Sequence, residues 1–290
     1  MNVVISIPAW NEEKTLPKVL KEIKTVMAKS NYKYKILVVD DGSKDKTSQV
    51  AKKAGAIVVK KRHSGLLDTF KREMEECLKM KADVVVHTDA DGQYPAKHIL
   101  DLLKEIEKGH DLVLGSRFAG EIESMPLMKW LGNVAFAKVF TRLCKTEITD
   151  STTGFRAFTR DVIEGIEYNT NFTYTQEQLI KASRMNFKIK EIPISARKTR
   201  ESRLMKGAFD YAMKAWINIF RIYRDFSPLA FFGKIGLVFL TFGVLLGLYI
   251  VYVLLLTGDV GGIPKVVLSA LLILTGVQVI LFGFLADMKN

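Results

Sequence analysis

An apolar, β-branched run that empties into acid constrains this chain most: Ala82–Asp–Val–Val–Val–His–Thr–Asp–Ala–Asp–Gly–Gln–Tyr–Pro95. Val84 to Val86 reads as a strand buried on both faces, as parallel strands are. It ends in Asp89 and Asp91, one residue apart, followed by a turn glycine and the amide of Gln93. Carboxylates at the end of a buried strand are costly unless something cationic meets them. In open α/β sheets that edge is also where ligands bind. The stretch therefore reads as a site for a divalent metal and a diphosphate.

The surrounding pattern repeats the arrangement. Strands are expected at Val3–Ile7, Tyr34–Val39, Ala56–Val59, Val84–Thr88 and Asp111–Leu114. Helices are expected between them at Thr15–Ala28, Thr47–Ala54, Leu66–Met80 and Ala96–Lys108. This alternation predicts an α/β fold, a mainly parallel sheet with helices on both faces. Polar clusters follow four of the strands: Pro8–Glu13, Asp40–Asp45, Asp89–Gln93 and Gly115–Arg117. On one sheet edge they would converge on a single crevice. Further on, the spacing predicts a helix over Met128–Cys144, a short strand at Gly154–Phe158, a helix over Gln176–Met185 and a strand at Lys188–Ile194.

The C-terminal part is of another kind. Ile235–Leu256 and Val266–Leu285 are almost wholly apolar, each close to the roughly 20 residues that cross a bilayer. A short, turn-rich link predicts a transmembrane hairpin. Arg221, Arg224 and Lys234 before it and Lys289 after it would place the large N-terminal domain in the cytoplasm. Lys206–Phe226 mixes aromatics with bases, as a helix lying in the membrane interface does. The expected division is a catalytic domain over 1–205, a juxtamembrane amphipathic helix over 206–230 and the hairpin over 231–290, with spans near 235–256 and 266–285. Gly276, Gly283 and Gln278 in the second span are candidates for helix association and a homo-oligomer.

The formal charge of +12 is compatible with nucleic acid, anionic lipid or a phosphorylated substrate. The bases cluster by the membrane segments and the phosphate site, which argues against nucleic acid. Cys77 and Cys144 lie too far apart in sequence to suggest a disulfide framework. No Gly-x-Gly-x-x-Gly or Walker A sequence supports a dinucleotide or ATPase reading.

Seven motifs in order carry a resemblance. They are Ile7–Pro–Ala–Trp–Asn–Glu12, Val39–Asp–Asp–Gly–Ser43, Asp89–Ala–Asp–Gly–Gln93, Gly115–Ser–Arg–Phe118, Thr153–Gly–Phe–Arg–Ala–Phe158, Glu191–Ile–Pro–Ile194 and Arg200–Glu–Ser–Arg–Leu204. Together they resemble the family 2 glycosyltransferases of the GT-A fold, in the branch of the dolichol-phosphate mannose and glucose synthases. The resemblance implies that Pro8, Trp10, Glu12, Asp40 or Asp41, Asp89 and Ala90 hold a nucleotide sugar, GDP-mannose or UDP-glucose. It implies Asp91 and Gln93 as ligands of Mg²⁺ or Mn²⁺, with Asp91 and Arg117 central to catalysis. Arg117, Lys129 and Asn133 would meet the acceptor phosphate, and Arg200 and Arg203 would clamp phosphates. Lys129 stands where the family often has Arg, and His63–Ser–Gly–Leu–Leu–Asp68 holds one glycine where the family has a Gly-rich turn.

The implied activity is inverting, metal-dependent transfer of a hexose to a polyprenyl phosphate, an acceptor already anionic at neutral pH. A hydroxyl acceptor on a glycolipid or lipid-linked glycan would instead need a general base, for which Glu177 and Asp150 are candidates. A catalytically silent, membrane-tethered binder of nucleotide sugars is the alternative of another class.

Overall fold

The computed structural model describes residues 1–120, 127–168, 174–197, 217, 220, 221, 224, 226–260 and 262–288, without the side chains of 127–133, 135 and 136. The chain divides into two compact units, Met1–Ala212 and Met213–Asn290.

In the first unit the described strands are β1 (Asn2–Ala9), β2 (Lys33–Asp40), β3 (Ile57–Lys60), β4 (Val84–His87), β5 (Leu112–Ser116), β6 (Arg156–Thr159) and β7 (Ile189–Pro193). They form one sheet in the order β3-β2-β1-β4-β6-β5-β7. The connecting helices are α1 (Leu16–Met27), α2 (Thr47–Lys53), α3 (Leu66–Lys79), α4 (His98–Glu107), α5 (Leu127–Cys144), α6 (Arg160–Gly165) and α7 (Tyr174–Arg184). Every residue of β4 is buried. Val3, Ile5, Ile7, Val84 and Val86 share one core with Leu16, Leu20 and Ile23 of α1 and Ile99 and Leu103 of α4. The period of two along the strands meets the three-to-four spacing of the helices. The opposite face of β1 and β2 is covered by α3.

The expected α/β sheet is present, with one departure in direction. β6 runs antiparallel to both β4 and β5. The expected strand at Gly154–Phe158 falls at Arg156–Thr159, because residues 150–155 form the loop that enters the reversed strand. The reversal has a consequence for the site. The loop leading into β6 lies at the same sheet edge as the C-terminal ends of β4 and β5. Strand order reverses around β1, which pairs with β2 on one side and β4 on the other, and this switch point opens the crevice.

The second unit contains two helices long and apolar enough to cross a membrane, Pro228–Thr257 and Ile263–Asp287. Residues buried at their contact recur every seven positions: Gly236, Gly243 and Ile250 on one helix, Ser269, Gly276 and Gly283 on the other. A Cβ on Gly236 would lie 2.6 Å from the carbonyl oxygen of Gly276, and one on Gly276 would lie 2.7 Å from the Leu240 nitrogen. Backbones approach this closely only across small residues. Ser269 Oγ donates to the Gly243 carbonyl at 2.8 Å. Gly276 and Gly283, candidates for association between copies, are thus filled within the hairpin by Gly236, Leu240 and Phe232. Gln278 points outward. Among residues 206–226, the interfacial-helix expectation falls largely outside the described residues.

Candidate active site

The polar ends of β1, β2 and β4 meet in one open cleft of about 320 Å³, lined by Pro8, Ala9, Trp10, Glu12, Asp41, Asp89, Ala90 and Asp91. Its other wall is the loop before α3 and that helix's first turn, with His63, Gly65, Leu66 and Thr69.

Asp40 and Asp41, adjacent in sequence, have different tasks. Asp40 is the last residue of β2 and turns inward, accepting from Ser43 N–H at 2.8 Å and from the Ser48 hydroxyl. Asp41 faces the cleft and gathers the opposite wall. It accepts from Lys61 Nζ at 2.5 Å, Ser64 N–H at 3.0 Å and Gly65 N–H at 3.1 Å, with His63 Nδ1 2.8 Å away. Burial raises the pKa of Asp41, but Lys61 and the two backbone donors outweigh it and hold the carboxyl below its ordinary value. Gly65 has φ +95°, a backbone shape that glycine adopts without strain. His63 lies stacked on Trp10, ring centroids 4.9 Å apart. The indole is 44% exposed and offers a flat apolar surface beside the acids.

Asp89 and Asp91 follow β4. Asp91 caps its own turn, accepting from Gln93 N–H at 2.9 Å, with Gly92 at φ +79°. Burial raises both carboxyls, Asp89 to about 6, where the nearby Asp91 adds to the shift and His87 and Arg117 oppose it. Among the described residues no cluster of three His, Cys, Asp or Glu side chains forms a complete metal cage. Two hard carboxylates crowded together suit a divalent cation that completes its shell with water and substrate oxygens. The Gln93 carbonyl accepts the Arg197 N–H at 3.0 Å. The Arg197 guanidinium meets Glu22 with both amino groups, at 2.9 and 2.8 Å, so this chain segment is fastened beside the turn.

Arg117 follows β5 and is held fast. Its Nε donates to Asp150 Oδ2 at 2.7 Å, and its Nη2 donates to Asp150 Oδ1 and to Thr152 Oγ1, each at 2.9 Å. Asp150 is oriented in turn by Glu191 of β7, whose carboxylate accepts from the N–H groups of Thr149 and Asp150 at 2.8 Å each. The motifs Gly115–Phe118, Thr153–Phe158 and Glu191–Ile194, joined through Asp150 and Thr152, are therefore one fixture with Arg117 at its tip. Arg156, fully buried, pins the same loop through the carbonyls of Thr153 at 2.8 Å and Ser151 at 3.1 Å. It also reaches α7 at the Thr175 carbonyl, 2.6 Å away. Glu177, buried in the first turn of α7, lies 2.8 Å from Lys181.

Lys129 and Asn133 stand on α5, with side chains outside the described residues; Arg200 and Arg203 lie outside them altogether. The cleft brings together Pro8, Trp10, Glu12, Asp41, Asp89, Ala90 and Asp91, while Asp40 is behind it. Sequence reading missed His63, Lys61 and Thr69. The polar, glycine-containing turn before α3 was visible, but not which strand end it would fold against.

The family model of Glycosyl transferase family 2 matches residues 4–166. The dolichyl-phosphate hexose transferase of Haloferax volcanii is 31% identical over 196 residues, spanning 68% of this chain and 83% of that protein. The dolichol-phosphate mannosyltransferase of Pyrococcus furiosus is 29% identical, over 82% of this chain and 69% of that one. Among solved structures, glucosyl-3-phosphoglycerate synthase from Mycobacterium tuberculosis, in complex with Mn²⁺, UDP-glucose and phosphoglyceric acid, superposes with a TM-score of 0.60. It covers 77% of this chain and 78% of that one at 17% identity, a likeness of fold. The seven-strand sheet with its reversed β6, the cleft at the strand ends and these matches place the chain in glycosyl transferase family 2.

Proposed function

We propose that this protein is a membrane-anchored, inverting glycosyltransferase. It moves a hexose, mannose from GDP-mannose or glucose from UDP-glucose, to a polyprenyl phosphate of the dolichyl type at the cytoplasmic face. The observation that carries the reading is the convergence of an aromatic platform and the carboxylates of Asp41, Asp89 and Asp91 on one cleft. The same chain carries two membrane-length helices. The names of the Haloferax and Pyrococcus relatives supply the acceptor class.

On this reading Trp10 stacks under the nucleobase, and Pro8 and Glu12 border it. Asp89, with Ala90 beside it, faces the nucleotide's ribose. Asp91 and Gln93 would hold Mg²⁺ or Mn²⁺, which when bound stabilises negative charge on the departing diphosphate. Arg117 keeps its position by its hold on Asp150 and offers the remaining guanidinium edge to the acceptor phosphate. Lys129, Asn133, Arg200 and Arg203 add donors to the same pair of anions. Their task is to let two negatively charged groups approach. A phosphate oxygen of the lipid attacks the anomeric carbon from the face opposite the nucleotide. The new C–O bond forms as the bond to the diphosphate breaks, and the nucleoside diphosphate leaves. No proton need be removed from such an acceptor. A hydroxyl acceptor would need a base, and Asp150 is engaged by Arg117 while Glu177 is engaged by Lys181.

Incubation of membranes holding this protein with labelled nucleotide sugars and polyprenyl phosphate tests the reading. Labelled lipid should form from one donor, cease with EDTA and return with Mg²⁺ or Mn²⁺. Absence of transfer from either donor, or transfer indifferent to EDTA, would sink it. Asp91→Ala should remove activity and leave the fold intact.

A further inference from the structure

Behind the cleft lies a wholly buried ion pair that none of the proposed binding steps uses. Glu73 of α3 and His87, the last residue of β4, are both 0% exposed, with Glu73 Oε2 3.1 Å from His87 Nε2. Among the described residues His87 is the only basic group within ion-pair distance of the Glu73 carboxylate. Burying a carboxylate with so little compensation is expensive, and such a pair is weak evidence for stability. Its other connections point to the site. His87 Nδ1 is 2.8 Å from the Gly154 carbonyl oxygen, and because a carbonyl only accepts, Nδ1 carries the proton. The N–H of the same glycine donates to Tyr94 Oη at 3.4 Å, and Tyr94 stacks on Phe155 at 5.2 Å. Gly154 is thus gripped at both ends of its backbone. It abuts Asp89: a Cβ there would lie 3.1 and 3.2 Å from the two carboxylate oxygens. His87 and Asp89 are also two residues apart at the end of one strand. Burial works against charge on His87, yet Glu73 overcomes it and raises the imidazole's pKa.

We infer that Glu73 and His87 are positioning residues of the donor site, holding the Gly154 peptide so that it fixes the Asp89 carboxylate where the nucleotide sugar binds. The inference rests on the donor-site reading above. Because α3 also supplies the far wall of the cleft through its first turn, Glu73 ties both walls together.

Replacing the pair by apolar groups separates positioning from stability. The double variant Glu73→Leu/His87→Met in the full-length protein should fold with an unchanged or raised Tm. It should bind GDP or UDP, titrated with Mn²⁺ by calorimetry, about tenfold more weakly, as loss of an orienting residue behind a ligand does. KM for the lipid phosphate should stay at the wild-type value. His87→Asn keeps an N–H for the Gly154 carbonyl and should hold nucleotide affinity within about threefold of wild type. Unchanged nucleotide affinity in the folded double variant overturns the inference, as does a tenfold loss in a folded His87→Asn protein. If the double variant does not fold, Glu73→Gln/His87→Leu, which also removes the donor to the Gly154 carbonyl and leaves no buried charge, takes its place with the same expected tenfold loss, and unchanged affinity in it overturns the inference. Wild-type protein that binds neither nucleotide overturns the donor-site reading and this inference with it. Binding in wild type with no change in the folded double variant removes only the inference.

Discussion

Glycine does opposite work in the two units. In the sheet unit, Gly154 leaves room for a carboxylate, and Gly65 and Gly92 take left-handed turns at the cleft rim. In the hairpin, Gly236, Gly243 and Gly276 leave room for another helix's backbone. The large apolar side chains divide in the same way. Val, Ile and Leu side chains fill the sheet unit's interior, whereas in the hairpin Leu255 is 80% and Leu245 58% exposed. Where water is the solvent, apolar burial drives packing, and polar side chains gather where a ligand will come. Among lipid tails that drive is absent, so close backbone contact holds helices together. One chain thus follows two rules for what is placed inside.

Asp150→Ala strips the bidentate partner from a largely buried Arg117 and should cost the sheet unit about 3 kcal/mol in denaturant unfolding. Transfer activity should fall with it. An unchanged midpoint would mean that Arg117 finds another anion. Next, Gly276→Leu puts a side chain where the Leu240 nitrogen stands 2.7 Å from any Cβ, and overpacking of this kind costs about 1–3 kcal/mol. Protease resistance of the hairpin in detergent should fall. Leu274→Ile, on the outward face at 59% exposure, should leave it unchanged. Equal behaviour of the two variants would remove the small-residue seam.

A smaller effect sharpens the polar side of the contrast. Gly154→Ala crowds Asp89 by a few tenths of an ångström and should weaken nucleotide binding about fivefold, close to 1 kcal/mol, with Tm unchanged. The smallest is a pH effect on the cleft wall. Asp41 is held below its ordinary value of 3.8, so its hold on Lys61, Ser64 and Gly65 is complete above that value. It is lost only as pH falls through the lowered pKa. Trp10 fluorescence, reporting the His63 stack, should show a transition below about pH 3.8. In Asp41→Asn that acid transition should vanish.

Much of the cleft was legible because its parts end strands. An apolar run that stops at Asp40 or Asp89 announces a sheet edge, and parallel strands share that edge. Asp40 and Asp41 could not be told apart, since adjacent residues at a strand end point opposite ways and only the register decides which faces inward. Asp150 was visible only as a candidate base; its pairing with Arg117 depends on β6 running backward. Glu73 and His87 each broke a local pattern. A carboxylate sits on the buried face of α3 beside Phe70, Met74 and Cys77, and an imidazole closes the Val84–Val86 run. Either anomaly marks a buried polar group, but its partner lies fourteen residues away on another element.

By itself the sequence determined what local chemistry dictates: which segments alternate as strand and helix, which acids stand at strand ends, and which two stretches are apolar enough to span a bilayer. Its ordered motifs also carried the family. Only the tertiary structure decided the direction of β6 and, through it, that Asp150 faces Arg117 and Gly154 faces Asp89. It likewise decided that Gly276 packs against its own hairpin. Strand direction and helix pairing are settled by contacts between residues far apart in the chain, and these no local periodicity records.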